Sequence, residues 1–117
     1  VPQELTIRWD GASIAQKMTQ GVIRGLNILG EHVLNESNDR VPLDEATLQR
    51  SGVVSVDEVE LTAAVSYDTP YAVKQHEDLT LRHPNGRRAK YLESAWADSQ
   101  HLAPQIIGNQ IRRALRG

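Results

Sequence analysis

Six apolar residues, Ile14, Met18, Val22, Leu26, Leu29 and Val33, recur at steps of three or four. That spacing puts them on one face of an α-helix and predicts a helix from about Ala12 to Asn35. Ser13, with Gln16 three residues on, has the spacing of a capping box at its start. Gly21 and Gly25 sit on or beside the same face, four residues apart. Each costs up to about 1 kcal/mol of helix propensity relative to alanine. Close approach of another backbone would offset that cost, either from within the fold or from a neighbouring subunit. The polar run Asn35-Glu36-Ser37-Asn38-Asp39-Arg40 reads as the end of the helix and a loop.

Other stretches carry the period of a strand. Leu5, Ile7 and Trp9 alternate with Thr6 and Arg8, which predicts a short N-terminal strand ended by Asp10-Gly11. Val53, Val54 and Val56 predict another strand, and Asp57-Glu58 a tight turn. Val59, Leu61, Ala63, Val65 and Tyr67 then alternate with polar or small residues, which reads as the second arm of a β-hairpin. Between helix and hairpin, Val41-Pro42-Leu43 is extended because the residue before a proline is pushed out of the α region. Asp44 can cap a short helix, Glu45 to Arg50, that stops at Ser51-Gly52.

The C-terminal half begins with a break at Asp68-Thr69-Pro70. Pro70 suits the first position of a helical turn running from Tyr71 to Glu77. Leu79, Leu81 and His83 alternate as a short strand or extended arm, and His83-Pro84-Asn85-Gly86 is a turn. From Arg87 the pattern is helical, with Ala89, Leu92, Ala95 and Trp96 on one face and Tyr91 flanking it. Pro104 either kinks this helix or opens a second one carrying Ile106, Ile107, Ile111 and Leu115. The expected fold is α+β and a single domain over residues 1–117. It has a small antiparallel sheet of three or four strands, including the hairpin, packed against the long N-terminal helix, with helices at the C-terminus.

Composition narrows the chemistry. The chain has no cysteine, which excludes disulfides, thiolate zinc sites, a thiol nucleophile and iron–sulfur clusters. No apolar run approaches the length of a membrane span. Val1-Pro2-Gln3-Glu4 lacks a basic start followed by an apolar stretch, so no secretory signal is expected. The four histidines, His32, His76, His83 and His101, are scattered without metal-ligand spacing. Asp44-Glu45 and Asp57-Glu58 read as a helix start and a turn rather than as paired catalytic carboxylates. No glycine-rich phosphate loop follows a strand, and no serine sits in a nucleophile elbow. No catalytic residue, metal or cofactor is expected.

Charge is segregated along the chain. Residues 31–81 hold eleven acids and three bases, whereas residues 82–117 hold seven bases and two acids. Arg82, Arg87, Arg88 and Lys90 surround the Pro84–Gly86 turn, and Arg112, Arg113 and Arg116 end the last helix. The last three complement the helix dipole. They also bring the chain within reach of a phosphate backbone, without the aromatic interleaving that stacks bases. The segregation fits either two solvated faces or a protomer whose acidic face meets a neighbour's basic face, and such head-to-tail contacts close into rings when the rotation fits.

Three stretches together resemble one family. The first is Val41-Pro42-Leu43-Asp44 with Leu48, Arg50 and Ser51. The second is Val59 to Tyr67 followed by Pro70-Tyr71-Ala72-Val73-Lys74-Gln75-His76-Glu77. The third is Gly86-Arg87 followed by Ala89-Lys90-Tyr91-Leu92-Glu93. In order and spacing they resemble the tail-completion proteins of long-tailed bacteriophages, also described as head–tail joining, neck or minor capsid proteins. Ala46 and Gln49 stand where the family often has glycine and arginine, and Pro104 interrupts a helix that is commonly continuous there.

The resemblance implies a structural virion protein of the neck, assembled in the bacterial host cytoplasm. It would form a homo-oligomeric ring, commonly six-fold and alternatively dodecameric. The ring would meet a connector or stopper protein on one side and a tail-terminator or tail-tube protein on the other, with double-stranded DNA passing through its lumen. Residues expected at contacts between subunits and rings are Pro42, Asp44, Leu48, Arg50, Ser51, Tyr71, Gln75, His76, Glu77, Arg82, Arg87, Arg88, Lys90 and Tyr91. Arg112, Arg113 and Arg116 would lie near the DNA channel. Two other classes stand beside this reading: a small DNA-associated regulatory or packaging protein using the arginine-rich C-terminal helix, and a hydrolase built on His76 and Glu77.

Overall fold

The computed structural model describes residues 11–41, 49–67, 75–78 and 90–117. It shows an α+β fold: a long N-terminal helix, an antiparallel hairpin, and a C-terminal helix packed against the first. Helix α1 spans Gly11–Arg40. Strands β1 (Gly52–Asp57) and β2 (Thr62–Tyr67) form the hairpin, and β3 (Gln75–Asp78) adds to the other edge of β2. Helix α2 (Lys90–Ser99) leads through a 3₁₀ turn at Gln100–Leu102 into α3 (Ala103–Arg116). The expected strand at Leu5–Trp9 and the extended arm at Leu79–His83 lie outside the described residues.

Helix α1 runs five residues past its expected end, through a run that is polar at nearly every position. The reason is tertiary. Ser37 and Tyr67 are both fully buried. The Tyr67 phenol oxygen lies 2.8 Å from Ser37 Oγ and 2.7 Å from Asn38 Oδ1. A phenol has one proton; it goes to the amide oxygen, which can only accept, and leaves the phenol oxygen to accept from the serine hydroxyl. The Asn38 carbonyl, near the helix end, accepts from the Gln49 side chain at 3.1 Å and from the Val41 N–H at 3.2 Å. Residues that favour loops in isolation are thus held helical by partners on β2 and in the following segment.

The sheet is antiparallel throughout. Gly52 pairs with Tyr67 and Asp57 with Thr62 across the hairpin; Ala64 pairs with Asp78 and Tyr67 with Gln75 on the far side. Gln75, His76 and Glu77 are therefore extended, where a helical turn from Tyr71 to Glu77 was expected. The pairing satisfies N–H and C=O groups that β2 would otherwise leave open along that edge. Inward positions Ala63, Val65 and Tyr67 are buried, as the alternation predicts. With Leu26, Leu29, Val33, Leu34, Val41, Leu92 and Ala95 they make the core. Complete burial of Leu29, Val33, Val65 or Leu92 contributes about 1.5–3 kcal/mol each.

The glycines show how α1 takes partners on two sides. A Cβ on Gly21 would lie 2.6 Å from the Cα of Ile111, and one on Gly25 2.8 Å from the Cα of Ile107. The compensation expected for these glycines is thus a backbone contact within the fold. Because the α1 numbers rise as the α3 numbers fall, the helices are antiparallel. A Cβ on Gly30 would instead meet Val54 Cγ1 at 2.5 Å, and one on Gly52 would meet Leu34 Cδ1 at 2.6 Å. Gly30 lies about 140° around the helix from Gly25, at 3.6 residues per turn. Helix α3 and strand β1 therefore flank α1 on nearly opposite sides. Pro104 falls in the first turn of α3, where a missing N–H costs nothing, so the break yields a second helix rather than a kink.

Candidate assembly surfaces

The hairpin tip is a built loop. The expected turn at Asp57-Glu58 is longer than its sequence suggests, and Val59, Glu60 and Leu61 belong to it rather than to β2. Asp57 Oδ1 accepts the backbone N–H of Val59 and of Glu60, both at 2.9 Å, which draws those two groups out of the ladder. Leu61 then turns the chain back with a φ of 55°, a left-handed conformation costly for a branched side chain, while packing against the core. Val59 is left 88% exposed at the apex, among the exposed Asp57, Glu58 and Glu60.

On the other side of α1, the α1–α3 pair forms a helical arm. Helix α3 has no fully buried residue, and Ile106 and Ile107 are only partly covered. Carrying the Gly21–Ile111 and Gly25–Ile107 register one turn further sets Met18 level with Ala114 and Leu115. Met18 is 43% and Leu115 42% exposed. Arg112, Arg113 and Arg116 are exposed, with Arg112 and Arg116 within about 100° of Leu115 around the helix and Arg113 nearly opposite it, and no ion pair among the described residues involves them. Arg112 donates to the Asn109 side chain.

A third contact closes the far end of α1. Arg40 donates to Asp98 Oδ2 at 2.8 Å and lies 3.8 Å from Glu36. The pairs are largely exposed, so each contributes at most about 1 kcal/mol. A shallow trough beside Asn27, Ile28, Glu31, His32 and Asn35 is lined by α1 alone, so it is the outer side of that helix rather than an enclosed cavity. Tyr67 is displaced from its ordinary titration. Burial pushes its phenol up from 10.0, the Ser37 hydrogen bond lowers it, and Tyr91 raises it slightly. No group of three His, Asp or Glu side chains that could hold a metal occurs among the described residues.

Of the residues expected at contacts, Gln75, His76 and Glu77 are brought together on β3, opposite Tyr67, Ser66 and Val65. Lys90 and Tyr91 open α2, with Tyr91 half-buried against the core. Arg50 is exposed and Ser51 half-buried just before β1. Arg112, Arg113 and Arg116 share the last turns of α3. Pro42, Asp44, Leu48, Tyr71, Arg82, Arg87 and Arg88 lie outside the described residues. Periodicity placed Val59 in a strand and Met18 and Leu115 on apolar helix faces, and it gave no sign that all three are exposed. The available signal was an aspartate two and three residues before the amides it caps, and an apolar stripe on α3 that continues to its last turn.

Comparison with protein-family models, with curated proteins and with solved structures found no match. No helix among the described residues is long and apolar enough to cross a membrane.

Proposed function

We propose that this chain is a structural virion protein that forms a ring at the head–tail interface of a long-tailed bacteriophage. In this reading it works by assembly rather than catalysis. Copies of the chain surround the DNA channel, joining the filled head and its connector to the tail. The order and spacing of the three family-like stretches support the reading. The geometric observation that carries it is the two-sided protomer: an acidic, apolar-tipped hairpin on one side of α1 and a basic, half-covered helical arm on the other. A protomer with unlike faces suits heterologous contacts, which close into rings. Neighbouring rings would be met by the Gln75–Glu77 strand, through main-chain pairing of the kind that strand addition uses.

The test is a mass-spectrometric count of this chain in purified virions, relative to the portal protein. A few copies per particle, about half the portal number, is the expected result for a six-fold ring beside a twelve-fold portal. Absence from the virion overturns the reading.

A second reading draws on the exposed Arg112, Arg113 and Arg116, which no described carboxylate pairs. A DNA-associated regulator would bind short duplexes with an affinity that falls steeply with salt. A ring that lets DNA slide through it would not.

A further inference from the structure

We propose that the hairpin tip of one copy docks on the exposed end of the α1–α3 arm of a second copy. Val59 sits over Met18 and Leu115, and Glu58 and Glu60 face Arg112 and Arg116. This names the subunit contact of the ring proposed above and rests on that reading only for the closing of the ring.

Both halves of the contact are preformed. The tip is pinned by two hydrogen bonds to Asp57 and by the packed Leu61, so holding Val59 outward requires little further ordering on docking. The arm is set by backbone-close packing at Gly21 and Gly25 and ends in two apolar side chains each more than two-fifths exposed. A phosphate backbone would match the arginines but would leave Met18 and Leu115 against a polar surface. An acidic loop with an apolar apex matches both.

Charge also selects the arrangement. Arm-to-arm pairing would crowd the arginines of two copies, and tip-to-tip pairing would crowd their carboxylates; both are penalised. Tip-to-arm pairing sets opposite signs together. Helix α3 packs over Gly21 and Gly25, and β1 packs over Gly30, well around α1 from there. One protomer can therefore offer its tip to one neighbour and its arm to another at the same time, as a head-to-tail series requires.

The chain has no cysteine, so single substitutions report contacts without background. Full-length Val59→Cys protein and a size-tagged Leu115→Cys protein would be mixed in equal amounts and oxidised, with circular dichroism confirming that each is folded. The readout is the ratio of mixed disulfide dimers to the sum of the two same-variant dimers, which is unity for random collision. The expected ratio is about tenfold above unity, given a charge-matched and apolar contact. It falls back to unity when the Val59→Cys chain also carries Glu58→Lys and Glu60→Lys. It recovers when the Leu115→Cys chain carries Arg112→Glu and Arg116→Glu in response.

A ratio of unity overturns the proposal. So does an excess of either same-variant dimer, which would mean tip-to-tip or arm-to-arm pairing, and so does a mixed product indifferent to the charge swap. The proposal and the ring fail separately. Selective cross-linking by a chain absent from virions keeps this contact and removes the ring. A chain counted in the neck with a ratio of unity keeps the ring and removes this contact.

Discussion

The two sides of α1 are held by different physics. In the core that α1 shares with the sheet and α2, Leu29, Val33, Val65, Tyr67 and Leu92 are at most 2% exposed, and the stabilisation is ordinary apolar burial. Towards α3 nothing on the partner helix is fully buried, and the contact comes from two glycines that let backbones touch. A closed core tolerates some change in side-chain shape because neighbours can repack. A backbone-to-backbone contact cannot, since neither chain can move without moving its helix. The sheet side should therefore set global stability, while the arm should be the more local and more brittle unit.

The largest expected effect tests the first half of that comparison. Leu29→Ala removes a fully packed side chain from the core and should cost about 3–4 kcal/mol in urea unfolding. Amide exchange should then accelerate in β2 and in α3 alike. If α3 kept its protection while β2 lost it, the arm would be stable on its own and the proposed hierarchy would be reversed.

Gly21→Ala tests the second half. The new Cβ would meet the Ile111 backbone at 2.6 Å, so the helices must part. Overpacking of this kind costs about 1–3 kcal/mol, and the gain of up to about 1 kcal/mol in helix propensity offsets only part of it. Hydrogen exchange should speed up across α3 with β2 little changed. Uniform acceleration would show that arm and sheet open together.

The smallest effect sharpens the sheet side. Tyr67→Phe leaves the Ser37 hydroxyl and the Asn38 amide oxygen without their shared partner, at a cost of about 1–2 kcal/mol. The raised phenol pKa adds a pH signature. The neutral phenol is favoured in the fold, so its contribution is fully present below the ordinary value of 10.0 and is lost as pH rises through the higher folded value. Wild-type stability should fall on that alkaline limb, and the limb should be shallower in Tyr67→Phe. Equal limbs in the two proteins would remove Tyr67 as its cause.

What the sequence showed and hid follows the same division. The apolar face of α1, the two strands of the hairpin and the interruption at Pro104 all rest on local periodicity or on a missing N–H, and they were readable, although a kink and a second helix stayed equally open at Pro104. The glycine pair announced a close approach because two helix-breaking residues four apart need a compensation. The last turn of α1 was not readable, because Ser37 and Asn38 are helical only through Tyr67, some thirty positions later. The Gln75–Glu77 strand was hidden for a related reason: its backbone partners lie on β2, and Pro70 is a better local helix signal than anything in those residues is a strand signal. At the hairpin, strict alternation from Val59 onward masked a loop that one carboxylate controls. Among the candidate contact residues, charge and position marked the arginines of α3, whereas the exposed Val59 depends on a turn geometry that alternation conceals.

The arm has a consequence in time as well as in energy. Gly21 and Ile111 meet across about ninety positions of chain, so this contact cannot form until that whole intervening stretch has been made. On the ribosome, the glycine-lined flank of α1 is synthesised before α3 and stays uncovered by it until α3 has emerged. During that interval the newly made helix presents an apolar stripe to its surroundings, and in a crowded, fast-translating cell that stripe is a target for chaperones and proteases. Output of usable protein would then depend on how quickly the fourteen-residue α3 is delivered, and not only on how stable the finished fold is.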